Sequence, residues 1–400
     1  MRADRYRDYM YTLIDTVLTN IGARESCSED EKKLGRYLAE EWKPICDKVD
    51  TEPFTCSPTC FLGFLPFLVI VYSAAVGFYW IYPPLSFACA AIGFSMLFFE
   101  LVRYREFLDP LWPKREGENV LGHIKPKSTV KQRVIVSAHM DSAYEFTLWL
   151  LLKNAAIGVM IIAVAAVILM VGASLAKSIA YLTGTADSPV FFWLGVICLA
   201  LLPVVGLYLG FHSDVPVPGA MDDLAGCAVV SGLGKYLDDA KQNGDFFPEN
   251  TEIVLLGCAA EESGLRGAKR YVSTHRKELQ KTPTYGIFLD GIYDEKHLTV
   301  VNREISTGAR HDSYLIRLAQ ECAAERGWPI KTLPIPLGAS DAAAFSREGG
   351  VPSTCLLCQD ISRLVVNYHT RFDTIEHIRP ESLTVSLQLV IDMLEKIDKM

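Results

Sequence analysis

From Pro53 to Phe99 the chain carries no Asp, Glu, Lys, Arg or His. At roughly 20 residues per crossing, a run of that length provides two transmembrane helices, and Pro83-Pro84 falls where the turn between them is needed. Asn154 to Ala176 and Ser188 to Phe211 are two further uncharged runs, joined by a short loop with Gly184, Asp187 and Pro189. Core helices of soluble proteins are shorter and keep a polar face. The four segments therefore read as transmembrane helices in two hairpins, with Lys153 placed to snorkel at the start of the second hairpin. A hydrophobic share of 50% and a mean hydropathy of +0.20 agree.

The rest of the chain alternates strand and helix signals. Amphipathic spacing predicts a helix over Tyr6 to Ile21, and Ser28 with Glu31 three residues later is a capping-box pattern opening a second helix. Strands are expected at Val49–Thr55, Asn119–Ile124, Val134–Ala138, Glu252–Leu256, Tyr285–Leu289 and Pro352–Leu357. Helices are expected at Asp222–Leu237, Gly264–His275, Ser313–Arg326 and Pro380–Lys399. Such alternation means an α/β fold with a mostly parallel central sheet flanked by helices. Residues 1–58, 103–146 and 213–400 are read as one α/β domain interrupted by transmembrane hairpins at 59–102 and 147–212.

Against that frame the polar residues that packing does not explain fall at strand ends, where open α/β sheets build their sites. Glu261 and Glu262 follow the apolar run Ile253 to Leu256; one of them suits metal binding and the other proton transfer. His139 and Asp141 follow Val134 to Ala138, Asp290 follows Ile287 to Leu289, and Asp222 and His369 lie in Gly-Ala-Met-Asp-Asp and Asn-Tyr-His-Thr. Two imidazoles with carboxylates suit Zn²⁺, and Mn²⁺ or Co²⁺ fit the same donors. Together they read as a two-metal hydrolase site. Asp223 is the alternative to Asp222 and otherwise a helix N-terminal carboxylate. If His139 and Asp222 both ligate metal they must meet, so the hairpin between them must return to the side it left.

The order His-x-Asp, Gly-Ala-x-Asp, Glu-Glu, Asp, His resembles the M28 family of metallopeptidases, the co-catalytic zinc aminopeptidases and their relatives, and Asn119-Val120-Leu121-Gly122 before the first motif is family-like. The resemblance implies a zinc-exopeptidase-like fold and two Zn²⁺. One ion would be held by His369, Glu262 and Asp222, and the other by His139, Asp290 and a bridging Asp222. It implies Glu261 as general base, Asp141 as the residue that orients His139, and an aminopeptidase acting on peptides. One departure is visible: after Ser340-Asp341 the family usually has His, and here Ala342 stands. Asp373, in His-Thr-Arg-Phe-Asp-Thr, is expected to support His369 as a turn or capping residue.

Two rival readings share the fold: a glutaminyl-cyclase-like acyltransferase with a single zinc, and a non-catalytic membrane scaffold, which would be expected to lose ligands. A net charge of −8 without a basic stripe argues against nucleic acid as a partner; peptide substrate and lipid bilayer are the partners expected. The 11 Cys are scattered, which suits a reducing compartment, and Cys355 and Cys358 read as buried strand residues rather than a zinc knuckle. No secretory signal is read in Met1 to Arg24, where charges interleave with apolar residues. Arg103, Arg105, Lys114, Arg115 and Lys153 flank the hairpins on the catalytic side, against Lys177 alone on the far side. The positive-inside rule then puts the catalytic domain in the cytoplasm.

Overall fold

The computed structural model describes residues 1–328, 330–360 and 367–400. The chain divides into two compact units, one made of residues 1–58, 114–144 and 215–400 and the other of residues 59–113 and 145–214.

The first unit is built on an eight-stranded sheet: β1 (Lys48–Cys56), β2 (Arg115–Ile124), β3 (Gln132–His139), β4 (Thr251–Cys258), β5 (Thr284–Asp290), β6 (Leu298–Glu304), β7 (Lys331–Ile335) and β8 (Ser353–Cys358). Their order across the sheet is β1-β2-β4-β3-β5-β8-β6-β7. The central strands β4, β3, β5 and β8 run parallel. β1 with β2, β2 with β4, and β6 with β8 are antiparallel. The sheet is therefore mixed rather than mostly parallel: β2 and β6 join its parallel centre in the opposite sense, and alternation of strands with helices does not by itself fix the direction of outer strands.

Every residue of β3 is buried, as expected of a parallel strand covered on both faces. Val134, Val136, Ile253, Leu255, Ile287 and Leu289 point to one core, shared with the helices Arg7–Asn20, Glu29–Trp42, Ala225–Asn243, Ser313–Glu325 and Pro380–Asp398. Ile135, Val254, Leu256 and Phe288 point to a second core under the helix Arg266–Lys281. The strands thus end in one layer between two sets of helices, and β3, β4 and β5 deliver their next residues to the same edge.

The second unit contains four helical segments long and apolar enough to cross a membrane: Cys60–Ile81, Pro83–Val102, Ala155–Leu182 and Pro189–Gly210. They pack on one another around Leu68, Tyr72, Tyr79, Ala90, Ala163, Met170 and Cys198. Polar contacts between them go to backbone carbonyls: Tyr72 Oη donates to Cys198 O at 2.9 Å and Ser86 Oγ to Ala75 O at 2.6 Å. Their outer faces carry exposed Phe67, Ile70, Ile92, Ile161, Ile168 and Trp193, more apolar surface than a water-facing bundle leaves open. In the first unit, the chain leaving for the second hairpin and the chain returning from it pair directly, Val217 N–H donating to Ala143 O at 2.9 Å and Tyr144 bridging Pro216.

Candidate metal centre

Just beyond the carboxyl edge of the central strands, His139, Asp222 and Glu262 bring donor atoms within 4.8 Å of one another. His139 is the last residue of β3. Asp222 lies in the segment Ala220–Leu224, where its own φ/ψ of −122°/88° breaks the helical path ahead of the helix Ala225–Asn243. Its two oxygens diverge: Oδ1 is 2.9 Å from His139 Nε2, and Oδ2 is 3.2 Å from His369 Nε2. His369 Nε2 is also 3.2 Å from Glu262 Oε1. His369 sits at a left-handed φ of 51° and stacks on Tyr368, ring centroids 3.8 Å apart. Asp290, the last residue of β5, lines a small cleft with His139, Ser340 and Asp341. Glu261 is buried beside Glu262 in the loop after β4.

The electrostatics are those of a carboxylate cluster that calls for cations. Burial, followed by repulsion from neighbouring acids, raises Glu261, Glu262 and Asp290 above the usual carboxylate range. Burial also opposes ionisation of Asp222, but hydrogen bonds from both histidines outweigh it and hold that carboxyl below its ordinary value. His369, despite burial that disfavours its charge, is raised to about 10 by Glu262 and Asp222. A donor set of two imidazoles and several desolvated carboxylates matches what divalent zinc takes as ligands, and its positive charge would relieve the repulsion.

Asp141 does more than the orienting role expected of it. The nearest partner of His139 Nδ1 is the Asp141 backbone oxygen at 3.1 Å, with carboxylate Oδ1 at 3.4 Å. The carboxylate itself accepts from Glu261 N–H at 3.0 Å, Glu262 N–H at 3.1 Å and Ser26 Oγ at 2.6 Å. Asp141 therefore meets the histidine first through its backbone and both glutamate amides through its side chain. Asp373 accepts from Met221 and Asp222 N–H at 2.7 and 3.2 Å, so its carboxylate supports the Asp222 loop, while its own N–H donates to Thr370 O at 3.0 Å and closes the turn that follows His369. Asp223 Oδ1 accepts from Gly226 N–H at 3.0 Å, the helix N-terminal alternative. Ala342 is fully buried, and the neighbouring Ser340 Oγ donates to Glu304 at 2.6 Å. Cys355 and Cys358 lie in β8, both buried.

Sequence reasoning missed three supports. Arg24, fully buried, donates to the carbonyls of Gly22, Met140, Pro218 and Gly219 at 2.6 to 2.9 Å, clasping the loops of His139 and Asp222. Gly219 is at φ 62°, and a Cβ there would lie 2.6 Å from Ser142 Cβ, so only glycine fits that clasp. Asn119 joins both ends of the glutamate loop, accepting from Ala259 N–H and donating to Gly267 O at 3.0 Å each. Glu31 accepts from Cys27 and Ala260 N–H at 2.7 Å. Only Asn119 carried a signal, in its family-like tetrapeptide; the partners of Arg24 and Glu31 are too distant in sequence to be inferred.

Residues 205–394 match the sequence model of Peptidase family M28. An aminopeptidase, YwaD, of Bacillus subtilis is 29% identical over 190 residues, which are 46% of this chain and 39% of that protein; the chain thus spans well under half the length of this relative. Among solved structures, a zinc aminopeptidase from Bacillus subtilis superposes with a TM-score of 0.58 at 16% identity, covering 98% of this chain and 95% of the other. A glutaminyl cyclase from an Acidobacteriales bacterium superposes at 0.56 and 14%, covering 98% and 94%. Residues 205–394 are thus similar to peptidase family M28, and the fold that carries them is that of the zinc exopeptidases.

Proposed function

We propose that the chain is a membrane-anchored aminopeptidase with two zinc ions. The observation that carries this reading is the Asp222 carboxylate, with one oxygen turned to His139 and the other to His369 and Glu262, the disposition of a ligand shared between two metals. His369, Glu262 and Asp222 would hold one ion, and His139, Asp290 and Asp222 the other. Bound there, zinc supplies Lewis acidity to the scissile carbonyl and to the attacking water. Glu261 takes the proton from that water and delivers it to the leaving amine. Its burial and raised carboxyl suit a group that must hold a proton between those steps. Asp141 keeps Glu261, Glu262 and His139 in register.

Anchoring is supported by the four apolar helices. Tyr79, Trp80, Tyr82, Tyr181 and Phe192 cluster near the ends of these helices, with Lys177 Nζ 4.2 Å from the Tyr79 ring centroid, the belt of aromatic and basic residues favoured at a membrane interface. The charge flanks favour the cytoplasmic side for the metal centre. Likeness to a glutaminyl cyclase supports acyl transfer as a second reading.

The test is mass spectrometry of free and N-blocked peptides incubated with detergent-purified protein and zinc. Loss of single N-terminal residues from free peptides supports the aminopeptidase. Cyclised N-terminal Gln supports the acyltransferase, and conversion of neither class counts against both.

A further inference from the structure

Four consecutive backbone amides fix the loop that carries the two glutamates, and each meets a buried side chain from elsewhere in the chain. Ala259 N–H donates to Asn119 at 3.0 Å, Ala260 N–H to Glu31 at 2.7 Å, and Glu261 and Glu262 N–H to the two oxygens of Asp141 at 3.0 and 3.1 Å. Asn119 lies in β2 and Asp141 just past β3. Glu31 comes from the helix Glu29–Trp42, 229 residues before Ala260, and is only 1% exposed.

A glutamate three residues into a helix ordinarily turns back to the amide of the capping residue. Half of that pattern is present, since Glu31 N–H donates to Ser28 Oγ at 3.1 Å. The other half is diverted: Ser28 N–H donates to Glu25 O at 2.9 Å, and the Glu31 carboxylate spans Cys27 N–H and Ala260 N–H instead, both at 2.7 Å. Those two residues share a property. Cys27 at φ 59° and Ala260 at φ 54° are both non-glycine residues in the left-handed region, which L side chains disfavour and which persists where surrounding contacts over-determine it. One buried carboxylate thus holds both strained residues, the second of them immediately before Glu261.

We propose that Glu31 is a positioning residue for Glu261 and Glu262: by holding Ala260 left-handed it sets the direction in which the two glutamates leave the loop. The inference rests on the reading of Glu261 as the proton carrier, and it adds a residue that touches neither substrate nor metal. A glutamine of the same size offers one acceptor oxygen and one NH2 group, so it can satisfy one of the two N–H groups but opposes the other.

The experiment compares full-length wild type with Glu31→Gln in detergent, measuring kcat, KM, zinc affinity and amide exchange over residues 258–263. The expected result is a kcat lower by about tenfold, the worth of one hydrogen bond to a charged group. KM stays within about twofold, zinc affinity falls no more than kcat does, and exchange quickens over 258–263 but not over β3. A kcat equal to wild type with only a lowered melting temperature would make Glu31 structural and overturn the proposal. If wild type cleaves no peptide, the proton role of Glu261 falls, and exchange alone decides: faster exchange over 258–263 in the variant supports the Glu31 bracket, and equal exchange overturns it. If the variant does not fold, slow exchange of amide 260 in wild type, comparable with β3, supports the bracket, and fast exchange overturns it.

Discussion

His139 Nε2 and Asp222 Oδ1 lie 2.9 Å apart, although the 83 positions that separate them include two helices of membrane-spanning length. Two features of the first unit bring them together. The outgoing and returning chains pair at Ala143 and Val217, and Arg24 binds carbonyls on both sides of that junction. The candidate metal centre is therefore assembled across an interruption in the sequence.

Because each Asp222 oxygen has its own partner, Asp222→Asn should lower zinc binding at both positions, whereas Asp290→Asn should affect one. Zinc per chain, measured by elemental analysis after gel filtration, is expected near two for wild type, about one for Asp290→Asn and below one for Asp222→Asn. Removal of zinc with a chelator should also lower the melting temperature, since an ion at a hundred times its dissociation constant stabilises by about 2.7 kcal/mol.

Glu261→Gln should leave zinc content near wild type while peptide turnover falls by about 10²- to 10⁴-fold, the usual worth of a general acid–base group. Steady-state kinetics with a free peptide checks this; full activity in the variant would remove Glu261 from the mechanism.

Asp141→Asn replaces a carboxylate that accepts from Ser26, Glu261 and Glu262. An amide in its place presents one donor group to those donors. Loss of about 10- to 100-fold in activity or metal affinity is expected, read by kinetics and zinc titration.

Arg24→Met should be among the most destabilising single changes in the first unit. Four carbonyls lose their donor, each at a cost of about 1–3 kcal/mol if it stays buried and unpaired. Arg24→Lys should recover little, because a point-like ammonium cannot reproduce the fork that reaches Met140, Pro218 and Gly219 together. Melting temperatures in detergent test both variants.

Lys269 is 7% exposed and donates to Gly264 O at 2.8 Å. Burial, with Arg266 nearby, lowers its amine from 10.5 to about 7. Between those two values the unfolded chain keeps a proton that the folded chain has released. Unfolding then takes up a proton, and stability rises with pH through that window by up to about 1.4 kcal/mol per unit. Thermal melts of wild type should show this rise from pH 7 upward, and Lys269→Met should flatten it.

Much of the fold was legible locally. The uncharged runs define four helices because hydrocarbon demands length and apolarity of a segment without reference to the rest of the chain. β3 and β5 were visible as apolar runs ending in His139 and Asp290. β6 and β7 were not foreseen: Leu298–Glu304 ends in Asn302, Arg303 and Glu304, and Lys331–Ile335 contains Pro334, so neither has the pattern of a buried strand. The antiparallel pairings were not expected for a related reason, since strand direction is set by how connections cross the sheet.

What the sequence determined by itself is the inventory: which segments can enter a bilayer, which strands end in ligand-type residues, and the order of His139, Asp222, Glu262, Asp290 and His369 that resembles the M28 pattern. What only the tertiary structure decided is how those residues are held. That Asp222 faces two histidines, that Asp141 grips the glutamate amides as well as neighbouring His139, and that Glu31 and Arg24 reach loops far along the chain follow from hydrogen bonds between buried groups. A buried donor or acceptor must find a partner wherever the fold supplies one, and nothing in the local sequence of Glu31 or Arg24 names that partner.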